Sequence, residues 1–446
     1  MGIGKIIFCG NDERYLDKKY TRFSDESNGG AAFRMPSLIK AGNSLIAVSV
    51  KQTCGEGWGF LELAIRRSED GGDTWSDVKA IATPPARETY KNADSYASAF
   101  FIDPCLAFAP NGDVILIADF YPECKGLHNR KLLDKKKPPY SMYDKKMRPA
   151  LYDRHGKFYV VREDGVVLNS RQKETLYKVT DWKGSLYKDD EYVGNIFLNG
   201  KTGSNNDSVT FGAPLKAPKR NYIYMLRSSD EGKTWSDPVD ITSDFLIVED
   251  GTFLGVSPGN SITTQDGRVL MPLYVDKKES VSVYSIDNGD TWHRMTKQPY
   301  NCNVDEWQAV QAPDGTVLAL GRAKSFGKTP LSLSYSKGKR WAKVKPTGLL
   351  APKCQKSVIN VGNYVFCSHP SERTRENGVI SVGRFRRSNG RTIGIDWYSD
   401  TIINEGFFAY SCMTQIDEDH IGVLYEAQPS SLICFKKFKI ADLIEV

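Results

Sequence analysis

Short runs of alternating or continuous apolar residues, closed by polar turns, recur along the whole chain. LELAIRR, NYIYMLR, VSVY and TPLSLS are strand-length runs, and each is followed by a polar, glycine-containing octet. No long stretch carries the three-four apolar spacing of an amphipathic helix, so the pattern predicts an all-β chain. The octets repeat. Ser68–Trp75 reads SEDGGDTW, Ser228–Trp235 SSDEGKTW and Ser285–Trp292 SIDNGDTW, all of the form S-x-D-x-G-x-T-W. A fourth, Ser334–Trp341 (SYSKGKRW), keeps Ser, Gly and Trp but has Ser336 for Asp and Arg340 for Thr. An Asp that accepts turn N–H bonds and a Gly with positive φ explain such a turn. Thr and Trp are then expected to re-enter a strand, with Trp packed into the core. Asp70, Asp230 and Asp287 read as structural on this account.

The spacing predicts the architecture. Trp235 to Trp292 is 57 residues and Trp292 to Trp341 is 49, a propeller-like period of four short strands per unit. The interval from Trp75 to Trp235 is far longer, and its middle is basic, Pro-containing and then hairpin-rich. The expectation is a six-bladed β-propeller formed by 1–125 and 216–446, with a β-rich lobe inserted at 126–215.

Composition changes this picture little. Aromatics at 11%, with 38 Gly and 21 Pro in 446 residues, suit strands and turns. The net charge of +6 is mild, and the one dense basic run, Lys131–Lys137, reads as a solvated loop, so no nucleic-acid partner is expected. No apolar stretch is long enough to span a membrane. The start lacks a signal-peptide pattern, which points to the cytoplasm for a full-length chain and to secretion if a leader has been removed. Nine cysteines without repeated spacing read as mostly buried thiols. The five scattered histidines offer no HExxH or CxxC ligand set, and there is no phosphate- or dinucleotide-binding glycine motif, so neither metal nor cofactor is expected.

Phe33-Arg34-Met35-Pro36 gives the octets a further meaning. The FRMP tetrapeptide beside Asp boxes resembles the bacterial sialidases (neuraminidases), whose hallmark is Phe/Tyr-Arg-Ile-Pro near the N-terminus followed by several Asp boxes. The likeness extends to LYKDDEYVGNIF in the inserted lobe, to Phe253–Gly259 (FLGVSPG) and to Tyr425–Glu426. It implies an exo-α-sialidase acting on sialylated oligosaccharides or glycoproteins. Arg34, Arg322 and Arg375 match the three arginines that bind the substrate carboxylate, a task suited to a planar, permanently charged fork. Arg373, two residues from Arg375, is the alternative to it. Tyr410 matches the nucleophile and Glu306 its base. Sialidases are an exception to the usual pair of catalytic carboxylates. Their anomeric carbon already bears a carboxylate, which repels an anionic nucleophile but not a phenol that ionises as it attacks. Asp103 resembles a pocket aspartate that contacts sugar hydroxyls. Trp307 and Phe408 flank the catalytic pair and read as core.

The chain departs from the family at the general acid. The loop Lys51–Gly59 contains no Asp. Glu56 is its only carboxylate and stands as the candidate acid, with Gln52 as a further pocket residue. Two alternatives to hydrolysis follow. One is intramolecular transfer giving an anhydro sugar, disfavoured because no Trp follows Tyr410. The other is a sialic-acid-binding propeller without catalysis, disfavoured because binding alone needs neither Glu306 nor Tyr410.

Overall fold

The computed structural model describes residues 4–9, 32–52, 61–86, 98–123, 134–198, 212–275, 279–295, 298–299, 304–428 and 432–445. Strands dominate, and they form a six-bladed β-propeller. The first blade is built from Ala32–Ala41, Ser44–Gln52, Leu61–Ser68 and Lys79–Ala82. The second contains Phe100–Phe108, Val114–Tyr121, Tyr222–Ser228 and Val239–Asp240. Leu254–Val256 opens the third, Trp307–Gln311 the fourth, Ser357–Val361 the fifth and Ser411–Gln415 the sixth. Lys5–Cys9 pairs antiparallel with Leu432–Lys439 and supplies the outer strand of the sixth blade, so the two ends of the chain close the ring together.

The middle strands are mostly apolar, Asp119 being an exception, because blades pack face to face. Val114–Tyr121 (VILIADFY) and Val269–Val275 (VLMPLYV) are buried at every position. This is the burial expected of a strand covered on both sides, and it explains runs that do not alternate. Between Val114–Tyr121 and Tyr222–Ser228 the chain leaves the ring and forms a seven-stranded antiparallel sheet running from Tyr140–Tyr143 to Glu191–Asn195. That sheet leans on the second blade through aromatic contacts, with Phe197 5.0 Å from Phe120 and Trp182 5.9 Å from Phe101.

The octets close the third-to-fourth strand turns. In the first, Asp70 accepts from Thr74 N and from Ser68 Oγ at 2.8 Å, Ser68 Oγ accepts from Gly72 N, and Trp75 Nε1 donates to Gly72 O. The second repeats the pattern through Asp230, and the third repeats its Ser and Asp bonds through Asp287 but leaves Trp292 Nε1 without a partner among the described residues. In the fourth, Ser336 Oγ replaces the carboxylate and accepts from Arg340 N at 2.8 Å. One expectation is corrected. After three of the octets the strand does not resume at Thr-Trp but some four residues on, at Lys79, Val239 and Lys345. In the third, whose Thr291 caps the turn in the same way, the strand resumes at once at His293. The turns also lock neighbouring blades. A Cβ on Gly232 would lie 2.9 Å from Ile46 of the first blade, and one on Gly72 would strike Phe435 of the sixth. Glycine serves there both for its positive φ and for close approach.

Candidate active site

Each blade's first strand runs toward the Asp-box end of the ring. The opposite end therefore collects the starts of the first strands and the connections between second and third strands. Arg34 and Asp103 lie near such starts, Glu306 and Tyr410 immediately precede them, and Arg322 and Arg375 occupy second-to-third connections. The inserted lobe is itself such a connection, so it springs from the same end.

Hairpin register explains two of the pairings. Trp307 faces Gly321, and the ladder continues with Arg322 N donating to Glu306 O at 2.8 Å. Ser411 faces Tyr425, and Glu426 N donates to Tyr410 O at 2.9 Å. Both pairs are 16 residues apart. The Met-Pro of FRMP has its own geometry. Met35 has φ of 59° at a register shift between Arg34 and Ser37, and Asp103, which also precedes a proline, has φ of 56° at a shift between Ile102 and Cys105. Left-handed, non-glycine residues at bulges re-aim their neighbours and are found at functional sites.

Tyr410 is the hub. Its hydroxyl donates to Glu306 Oε1 at 2.5 Å and accepts from Arg322 Nη1 at 2.9 Å. The guanidinium carbons of Arg34, Arg322 and Arg375 stand 5.7, 6.0 and 5.3 Å from the centre of its ring. Arg322 Nη1 also donates to Glu306 Oε2. Arg34 Nε lies 3.4 Å from Glu426 Oε1, and Glu426 accepts from Met35 N at 2.9 Å. Arg375, whose carbonyl accepts from Phe408 N at 2.9 Å, makes no ion pair among the described residues. Arg373 instead stacks over Phe326 at 5.3 Å. Tyr410 is 6% exposed while the Arg34 side chain is 30% exposed, so the cluster meets solvent on the arginine side.

The electrostatics favour a neutral phenol at rest. Burial pushes the Tyr410 hydroxyl well above the ordinary tyrosine range, and Glu306 adds to this while Arg322 opposes it. Glu426 holds the Arg34 guanidinium firmly charged against its burial. Asp103 is pushed well up by burial and then by Glu306, with Arg34 and Arg322 pulling the other way. Burial raises the Cys354 thiol to about 11, so this second nucleophilic atom near the arginines is a thiol at neutral pH. Trp307 and Phe408 are core. Trp307 Nε1 donates to Leu273 O, and Phe408 stacks on Tyr425 at 5.3 Å.

The structure thus brings Arg34, Arg322, Arg375, Glu306, Tyr410 and Asp103 to one end of the ring. Glu56 lies outside the described residues. Gln52 ends the second strand of the first blade, its backbone opposite Leu61, and its side chain lies outside the description. Glu426 was given no role in the sequence reading, although its spacing from Tyr410 equals that of Arg322 from Glu306.

A BNR repeat-like domain matches residues 167–393. The Anhydrosialidase of Macrobdella decora is 26% identical over 467 residues, covering 92% of this chain and 61% of that protein. Sialidase B of Streptococcus pneumoniae is 26% identical over 455 residues, covering 91% and 63%. The chain therefore spans about three fifths of the length of these relatives. Among solved structures, a leech intramolecular trans-sialidase complexed with 2,7-anhydro-Neu5Ac superposes with a TM-score of 0.80 at 24% identity, covering 99% of this chain and 71% of that one. The intramolecular trans-sialidase of Ruminococcus gnavus gives 0.79 at 24% identity, covering 99% and 98%. These two likenesses establish the fold. The chain belongs to the BNR repeat-like family, and the relatives it matches over nine tenths of its length are an anhydrosialidase and a sialidase.

Proposed function

We propose that the chain is an exo-α-sialidase, a retaining glycoside hydrolase that removes terminal α-linked sialic acid from oligosaccharides or glycoproteins. The observation that carries this reading is the set of three guanidinium groups around one phenol whose hydroxyl bonds a carboxylate. Converging cations suit a carboxylate ligand. With Glu306 and Glu426 already paired to Arg322 and Arg34, Arg375 has most charge to offer it. In the first step the Tyr410 oxygen bonds the anomeric carbon, its proton passes to Glu306, and the bond to the leaving oxygen breaks. In the second step an incoming hydroxyl gives its proton to the carboxylate that protonated the leaving oxygen and displaces the Tyr410 oxygen, which regains its own proton from Glu306. Two displacements retain configuration. Asp103 accepts a sugar hydroxyl. Glu56 is the proposed donor to the leaving oxygen and Gln52 its neighbour in the pocket. Among the described residues no helix is long and apolar enough to cross a membrane.

A second reading changes only the incoming group. A hydroxyl of the bound sugar, rather than water, attacks and gives an anhydro product. The relative named Anhydrosialidase, similar over 92% of the chain, favours it. Digestion of sialyllactose in oxygen-18 water separates the two. Hydrolysis gives sialic acid carrying one heavy oxygen. Intramolecular transfer gives an unlabelled product lighter than sialic acid by one water. Absence of any release from this and from an activated sialoside contradicts both. Glu56→Gln is expected to slow natural sialosides more than activated ones, and equal rates for wild type and variant on natural substrate would remove Glu56 from the role.

A further inference from the structure

Asp119 is a carboxyl that the proposed chemistry does not use. It lies on Val114–Tyr121, directly opposite Ile102 and so beside the bulge that aims Asp103. It is fully buried. Its Oδ1 accepts from Val256 N at 3.1 Å and from Asn221 Nδ2 at 3.5 Å. Its Oδ2 has no partner. A Cβ on Gly255 would strike the Phe253 ring and lie 3.1 Å from that oxygen, so ring and carboxyl share the space left by the missing side chain. A buried, ionised carboxylate with a bare oxygen and no cation is strongly disfavoured.

The surroundings decide which of the two aspartates holds a proton. Asp103 faces Arg34 and Arg322 as well as Glu306 and Glu426. Around Asp119 the charged neighbour is Asp103. Tyr274 of the third blade, which feels Asp103, Glu306 and Asp119, is pushed well above the ordinary tyrosine range by burial and is a neutral phenol. Among the described residues no cation acts on Asp119. Charge balance points the same way. Arg34, Arg322, Arg375 and the buried Lys356 supply four positive charges among the described residues, and Glu306, Glu426, Asp103 and Asp305 already match them. A fifth anion would leave the floor net negative, where a sugar carboxylate has to bind.

Resting on the sialidase reading, we propose that Asp119 is a positioning residue. It is a neutral carboxylic acid that supports Asp103 as the anionic acceptor for the sugar and keeps the pocket from opposing an anionic ligand. Burial, followed by the neighbouring Asp103, pushes Asp119 well above the ordinary carboxylate range, consistent with this arrangement. Raising the pH until Asp119 ionises then weakens sialoside binding while the Tyr410 chemistry is intact.

Asp119→Asn tests the proposal, because an amide mimics the neutral acid and cannot ionise. Infrared spectra of the wild type at neutral pH are expected to show a protonated-carboxyl C=O band that the variant lacks. The alkaline rise in KM, or in Kd for free sialic acid, is expected to disappear in the variant, with kcat little changed. An unchanged protonated-carboxyl band, or an alkaline limb that persists in a folded variant, overturns the proposal. The infrared result stands whether or not the protein cleaves sialosides, so a failure of the sialidase reading is seen separately as absent turnover. If Asn does not fold, Asp119→Glu gives the second readout. It retains an ionisable group and is expected to shift the alkaline limb rather than abolish it, and an unmoved limb counts against Asp119.

Discussion

At the residue scale the account rests on a phenol held between a carboxylate and three guanidinium groups. Glu306→Gln leaves the hydrogen bond to Tyr410 but removes the proton acceptor. Its expected effect is a fall in kcat of about 100 to 10,000-fold with KM nearly constant, read from steady-state kinetics on a fluorogenic sialoside. Arg375 acts on binding instead. Charge-assisted bonds contribute about 1.5–3 kcal/mol, so Arg375→Ala is expected to raise KM by roughly 10 to 150-fold, and Arg375→Lys to restore only part of it because an ammonium has no planar fork. An Arg375→Ala variant with unchanged KM would remove this residue from the carboxylate clamp. The motif residues Arg34, Arg322, Arg375, Glu306 and Tyr410 were legible because the resemblance is concentrated on them. Glu426 and Asp119 were not. Their significance comes from contacts across blades, with Met35 in one case and Val256 in the other; for Glu426 the only linear signal is its 16-residue spacing from Tyr410, and for Asp119 there is none.

At the scale of elements the Asp-box turns and the inner hairpins do different work. The Asp287 turn holds bonds from Thr291 N at 3.0 Å and Ser285 Oγ at 2.7 Å, so Asp287→Ala is expected to cost about 1–3 kcal/mol in urea unfolding and to leave kcat unchanged. A loss of activity without loss of stability would contradict the structural assignment. The same turns set an acid limit. Burial opposes ionisation, but the combined bonds from Thr234 and Ser228, and from Thr291 and Ser285, hold Asp230 and Asp287 at about 2. A depressed carboxyl stabilises the fold above its unfolded pKa, and that stability drains away as pH falls from about 4 toward 2. Replacing both with Asn is expected to flatten the acid limb of a melting-temperature profile. The octets were readable because Ser, Asp, Gly and Thr bond one another within a single local turn. The delayed restart of the fourth strand was not readable, since a turn's exit path depends on the blade it packs against.

At the scale of the whole molecule the ring is closed by Lys5–Cys9 on Leu432–Lys439. Deleting residues 1–9 leaves the sixth blade three-stranded with an open edge. The expected result is a lower melting temperature and earlier loss of sialoside binding, because Tyr410 and Glu426 belong to that blade. Equal thermal stability of the truncated and intact chains would argue against closure by this strand. Six blades followed from two measured repeat intervals, since a propeller repeats its strands at a nearly fixed length. Which end of the ring carries the site did not follow. That depends on strand direction, which places Glu306, Arg322, Tyr410 and the root of the inserted lobe together and sends every Asp box to the far end.

The central claim is that Tyr410 bonds the sugar. A fluorinated sialoside that forms the intermediate quickly and releases it slowly should add one sugar mass to the intact protein, with peptide mapping locating it on Tyr410 and no adduct on Tyr410→Phe. A sugar found on Glu306 or another carboxylate, or turnover of the probe without any covalent species, would contradict the account.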